Sequence, residues 1–384
     1  MKLVLQRRDF VLLLAYAPMP KDVEPILVST ANSLTTIPLP PDMSTVKKHS
    51  VSLAGSTALL APPSSQLLIT IDSRVLKLTN LSTGKQICSV SFQMSCAGAI
   101  VKGESMWVRE GDKLHCLSLN PLKGVWEADA PASGRCWDAS EDFVAVENPS
   151  SDESGAEGSG GASGGGVGVV RILDTRNSGK LLNEGKLHGK GLAVMKIHAH
   201  RGVDMLVSSS LPSTSIKVFK LPTLEILQVL YRGSVAKEIK IVDCWEGLVA
   251  AAGSETVHVW SIDDEEGCSA SKWREGDRLG AGGAEEVGSG IEGNSGRVAK
   301  RNILSASFEK GLAAMSPSLI NGKRSFYKFP APSSTETVRL SGSSRVQVNE
   351  EGEKVFCVTT VGGGKVKCFE WDGKVGRGIL DENI

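Results

Sequence analysis

Opposite charges cancel in this chain. Its 43 Lys and Arg face 43 Asp and Glu, a formal net charge of +0, so no global field draws it to nucleic acid, and any anion site must be local. Aromatic residues are scarce, at 5%. The eight cysteines (Cys88, Cys96, Cys116, Cys136, Cys244, Cys268, Cys357 and Cys368) contain no CxxC pair, which leaves them as small buried hydrophobes suited to a reducing cytosol. No apolar run has the length of a transmembrane helix. Neither G-x-S-x-G nor a Cys/His nucleophile pattern stands out, and Gly362-Gly363-Gly364-Lys365 lacks the strand–loop–helix context of a phosphate loop, so it reads as a hairpin turn. His198 and His200 have no Cys or carboxylate partner at ligand spacing and are placed on a turn between strands. The chemistry of an enzyme is therefore missing. No metal, cofactor, nucleic acid or small-molecule substrate is expected, and the chain is read as a monomer.

What the chain does contain is a repeat. Short runs of β-branched and apolar residues recur in pairs: 26–30 with 35–39, 66–71 with 75–78, 105–109 with 113–119, 143–146 with 169–173, 205–209 with 216–219, 248–252 with 256–260, and 355–359 with 366–371. Glu110-Gly111-Asp112 is a tight-turn signal between two of them. A period of about forty residues is that of propeller blades. The fold class is all-β, a seven-bladed WD-repeat-like β-propeller spanning 1–384. At the N-terminus, Lys2, Arg7 and Arg8 precede an apolar run at 10–17. Two readings remain there, a signal peptide or the first strand of blade one.

Two stretches interrupt the rhythm. Residues 149–166 are Ser/Gly-rich and read as a disordered loop within blade four. Residues 263–322 form a longer insertion in blade six, acidic and Gly-rich at first. Its segment 297–320 sets Leu304, Phe308, Leu312, Met315 and Leu319 at helical spacing near Lys300, Arg301 and Lys310. That stripe is either a short helix packed on the propeller or a segment lying in a lipid interface.

The run 216–262 holds the sharpest signatures. Leu230-Tyr231-Arg232-Gly233 is followed by Glu238-Ile239, then Thr256-Val257-His258-Val259-Trp260, and later by Lys323-Arg324-Ser325-Phe326-Tyr327-Lys328-Phe329. In this order, these residues resemble the PROPPIN family of seven-bladed propellers, which bind phosphoinositides in autophagy and endolysosomal traffic. Tyr231 departs from the family, standing where its first motif arginine would be.

The resemblance implies two headgroup pockets and a membrane-inserting loop. The blade-six pocket maps to Arg232, Gly233, Thr256 and His258, with Ala252 replacing a serine. The blade-five pocket maps to Ser210, Thr214, Lys217 and His188, the last entering from the blade's first strand. The insertion positions Leu304, Phe308, Leu312, Met315 and Leu319 map to the inserting loop. Forked arginine donors with hydroxyl and imidazole support suit phosphate. Each residue also has a plain structural reading, as a solvated strand position or a turn contact. The implied function is binding of phosphatidylinositol 3-phosphate or 3,5-bisphosphate, with peripheral recruitment from the cytoplasm to phagophore, endosomal or vacuolar membranes and with autophagy or endosomal protein partners. The alternative is a WD-repeat-like interaction scaffold whose lipid site has decayed.

Overall fold

The computed structural model describes residues 2–5, 26–29, 34–37, 47–49, 58–60, 67–80, 83–119, 122–131, 134–148, 168–232, 238–253, 256–262, 323–325, 327–330, 335–342, 355–362, 365–371 and 376–383. Among them the regular structure is all strand. The stretches 149–166 and 263–322, Gly233, the run at 10–17 and the five apolar insertion positions lie outside the described residues.

A leading strand, β1 (Lys2–Leu5), precedes seven sheets that follow one another along the chain. The first is β2 (Ile26–Ser29), β3 (Leu34–Ile37) and β4 (Lys47–His49). The second is β5 (Ala58–Leu60), β6 (Leu67–Asp72), β7 (Val75–Asn80) and β8 (Gln86–Ser91), with β1 added antiparallel beyond β8. The third contains β9 (Cys96–Lys102), β10 (Ser105–Glu110), β11 (Lys113–Leu119) and β12 (Leu122–Asp129). The fourth contains β13 (Trp137–Ala139), β14 (Phe143–Glu147), β15 (Gly168–Asp174) and β16 (Lys180–His188).

The fifth sheet comprises β17 (Leu192–His200), β18 (Val203–Ser210), β19 (Ser215–Lys220) and β20 (Glu225–Tyr231). The sixth begins with β21 (Ile241–Trp245), β22 (Leu248–Ala252) and β23 (Thr256–Ser261). Two short strands then follow the long insertion: β24 (Lys323–Arg324) joins the edge of β20, and β25 (Tyr327–Pro330) completes the sixth sheet. The seventh is β26 (Thr335–Gly342), β27 (Phe356–Gly362), β28 (Lys365–Trp371) and β29 (Gly376–Asn383).

First strands of successive sheets touch in series, β2 to β5, β9, β13, β17, β21 and β26. The protein is a seven-bladed propeller. Several hairpins close in two residues, and at Arg201-Gly202 and Glu246-Gly247 both carry positive φ, from 40 to 79°. That backbone hand matches the twist of the strands it joins, and glycine adopts it without a side-chain penalty.

Among the described residues the core is divided rather than central. Apolar clusters sit instead between neighbouring blades: Val207, Ile216 and Leu230 of blade five meet Val249, Ala251 and Trp260 of blade six, and Ala250, Val257 and Phe329 of blade six meet Leu340, Phe356 and Trp371 of blade seven. Second strands of the blades are accordingly buried over most of their length, as in β22, where every residue of LVAAA is buried.

Carboxylates supply the polar counterpart. Asp138 on β13 accepts the Ile197 N–H of β17 at 2.6 Å, and Asp243 on β21 accepts the Leu340 N–H of β26 at 2.9 Å. Glu147 accepts the Leu192 N–H at 3.1 Å in the same blade-to-next-blade sense. Arg339 lies 3.7 Å from Asp243, and Asp138 raises the pKa of Lys196. Each of the two aspartates thus fixes a neighbouring inner strand and faces a cation on it.

Some expectations are corrected here. His198 and His200 lie at the end of β17, not on a turn. His188 ends β16, the outermost strand of blade four, rather than the first strand of blade five. Strand β1 occupies residues to which no strand was assigned.

Asp243→Ala removes the acceptor of a buried inner-strand N–H and the partner of Arg339. A buried group left unpaired costs about 1–3 kcal/mol, so the denaturant midpoint should fall measurably. An unchanged midpoint would mean that the clamp contributes nothing.

Candidate functional site

Three of the polar residues picked out by the sequence, Arg232, Thr256 and His258, meet at the seam between blades five and six. β20 is buried at Leu230 and then turns outward, and the Arg232 N–H bonds to the Thr214 carbonyl at 2.9 Å, which holds the exit of β20 against the β18–β19 connection. Arg232 is half-buried. Its Nη2 donates to Thr256 Oγ1 at 3.4 Å, and its Nη1 to the Glu238 carbonyl at 3.5 Å.

Thr256 and His258 are two apart on β23, so they share a face. Thr256 Oγ1 and His258 Nε2 are 3.2 Å apart, and His258 Nδ1 lies 3.1 Å from Ser325 Oγ. The ring stacks on Trp260 at 5.6 Å, and the Trp260 indole N–H donates to the Tyr231 carbonyl across the seam. Gly253 matters sterically, because a Cβ there would overlap the Arg232 guanidinium.

His258 is only 4% exposed. Burial, then the nearby charges of Arg232 and Lys328, lower its pKa to about 4. The imidazole is therefore neutral at pH 7 and sits in the positive field of two cations, which favours an incoming anion.

A second cluster forms between blades four and five. His188 Nε2 is 3.0 Å from Ser208 Oγ, and the Lys217 ammonium donates to the Leu187 carbonyl at 2.9 Å. Burial, followed by Lys217, lowers the pKa of His188 to about 4, and burial lowers that of Lys217 as well.

No protein-family model matches the chain. No curated protein matches it either. Solved structures do. Hsv2 of Kluyveromyces lactis is similar at a TM-score of 0.61 and 13% identity, over 94% of this chain and 96% of that one. A second structure of it, with complete loop 6CD, gives 0.61 and 12% over 94% and 96%. KlAtg21, in complex with the coiled coil of AgAtg16, gives 0.57 and 10% over 94% and 99%.

The fold is that of the PROPPIN propellers. Of the residues mapped from the PROPPIN pattern, the structure brings together Arg232, Thr256 and His258 in one bonded group. It also sets the Lys217 ammonium near His188, whose pKa it helps to lower. The Ser210 backbone sits opposite Leu192 at the end of β18, and Thr214 contributes its carbonyl to Arg232 rather than a hydroxyl to the Lys217 group.

Lys217 is not a freely solvated strand residue, because its ammonium ties blade five to the last strand of blade four. Ala252, in place of the PROPPIN serine, is fully buried. Ser208 and Ser325 were not foreseen. The alternation of Ser208 with Ser210 pointed toward the first. The second was hidden because 323–329 reads as one strand, whereas the chain breaks at Ser325 between β24 and β25.

Both histidines have folded-state pKa values below the unfolded value of about 6.5. Their stabilisation is therefore full above pH 6.5 and is lost as pH falls towards 4. Each ring should cost about 2 kcal/mol between pH 7 and pH 5. Urea midpoints at the two pH values check this, and a His188→Asn/His258→Asn variant should show a flatter profile.

Proposed function

We propose that the protein is a divergent PROPPIN, a single propeller over 1–384 that docks peripherally on membranes by binding a phosphoinositide headgroup in the blade-six pocket. The observation carrying this reading is the placement of Arg232 beside Thr256 and His258, whose ring feels two cations. A phosphomonoester needs charge-assisted donors held at fixed positions, which a seam between two rigid blades provides. Phosphatidylinositol 3-phosphate and 3,5-bisphosphate are the expected headgroups. Gly233 belongs to the same motif.

The blade-five group of His188, Ser210, Thr214 and Lys217 is the weaker candidate. Tyr231 stands at its arginine position, its phenol raised in pKa by burial, and the Lys217 ammonium is engaged with Leu187. We read the protein as having one principal headgroup site rather than two. The insertion 263–322 falls between β23 and β25, third and fourth strands of blade six, and the positions Leu304, Phe308, Leu312, Met315 and Leu319 within 297–320 supply the apolar contact with the bilayer. One headgroup and one apolar anchor act together by avidity. The expected site of action is the cytoplasmic face of phagophore, endosomal or vacuolar membranes. The KlAtg21 complex with a coiled coil supports autophagy-type protein partners and keeps a protein scaffold with a decayed lipid site as the competing reading.

Vesicle flotation separates the two. With phosphatidylcholine vesicles containing phosphatidylinositol 3-phosphate, Arg232→Ala should weaken binding about tenfold or more, the worth of a charge-assisted contact. Binding should also weaken with added salt. Undiminished flotation of Arg232→Ala would remove Arg232 as a lipid ligand and favour the scaffold.

A further inference from the structure

The blade-six pocket is completed by a residue that does not come from its own hairpin. Ser325 lies 67 positions beyond His258 in the chain, yet its Oγ is 3.1 Å from His258 Nδ1. It is carried there by the strand returning from the insertion. β24 pairs in parallel with β20, Leu230 opposite Lys323 and Tyr231 opposite Arg324. One residue later the chain crosses the seam, and β25 pairs with β23, His258 opposite Lys328. Ser325 is the crossing point.

Hydrogen-bond polarity gives the serine a task. A guanidinium only donates, so Thr256 Oγ1 accepts from Arg232 and has its own proton to pass on to His258 Nε2. A neutral ring that accepts at Nε2 carries its proton on Nδ1 and donates it to Ser325 Oγ. The serine hydroxyl fixes that tautomer and stops the ring from turning.

We propose that Ser325 is a positioning residue for anion capture, holding His258 from the return strand so that affinity for a phosphate-bearing headgroup depends on β24 remaining paired with β20. This rests on the pocket being the headgroup site. Headgroup binding and the seating of the chain after the insertion then support each other.

The test uses the full-length protein and phosphatidylcholine vesicles with phosphatidylinositol 3-phosphate, beside phosphatidylserine vesicles of equal charge. Ser325→Ala should weaken binding to the first about fivefold, the worth of one hydrogen bond, and leave the second unchanged. Ser325→Thr should restore it. Nitrogen NMR of the histidine rings should show His258 as one tautomer in the wild type and in Ser325→Thr, and as a mixture in Ser325→Ala. Wild-type affinity in Ser325→Ala, with Arg232→Ala impaired, would overturn the role of the serine while leaving the pocket in place. Full binding by Arg232→Ala as well would overturn the pocket and this proposal together. A His258 tautomer unchanged in Ser325→Ala would also overturn it.

Discussion

The architecture depends on a carboxylate from one inner strand capping a backbone N–H of the next. Asp138 to Ile197 and Asp243 to Leu340 are the clearest instances. Strands that face a central axis cannot all satisfy one another, because neighbouring blades meet at an angle rather than in a ladder. An unpaired N–H there would cost more than the contact gains. Placing an acid at the join solves this locally, and a cation, Arg339 or Lys196, lies beside it. Blade packing then needs only apolar faces, and the clusters between sheets supply them.

The same seam logic builds the candidate site. Interfaces between blades are where side chains from different parts of the chain are held rigidly at short range. Arg232 leaves the last strand of blade five and meets the third strand of blade six. Trp260 crosses in the other direction to reach the Tyr231 carbonyl. Rigidity of this kind lowers the cost of ordering donors around an anion. The neighbouring seam shows the opposite use: there His188, Ser208 and Lys217 are satisfied internally, and the lysine acts as a strut.

The sequence was most legible where both faces of a strand are buried. Six of the seven expected pairs are the second and third strands of their blades, such as Leu248–Ala252, an unbroken apolar run, with Thr256–Ser261. Inner strands were harder to see. β9 is largely small residues and β13 has three residues, so neither carries a strong period. The grouping of Arg232 with Thr256 and His258 was foreseen through its motif. Ser325 was not, because the kink that brings it to His258 is set by pairing with two different sheets, which no local pattern encodes.

That double attachment has a mechanical side. Lys323 and Arg324 extend the fifth sheet while Tyr327–Pro330 edges the sixth, so the chain returning from 263–322 is buttoned to two blades within eight residues. A peptide bond severed anywhere between residues 263 and 322 would yield two fragments still laced together through both ladders, since β24 and β25 belong to one fragment and their partners β20 and β23 to the other. The long excursion can therefore vary in length without loosening the wheel that carries it.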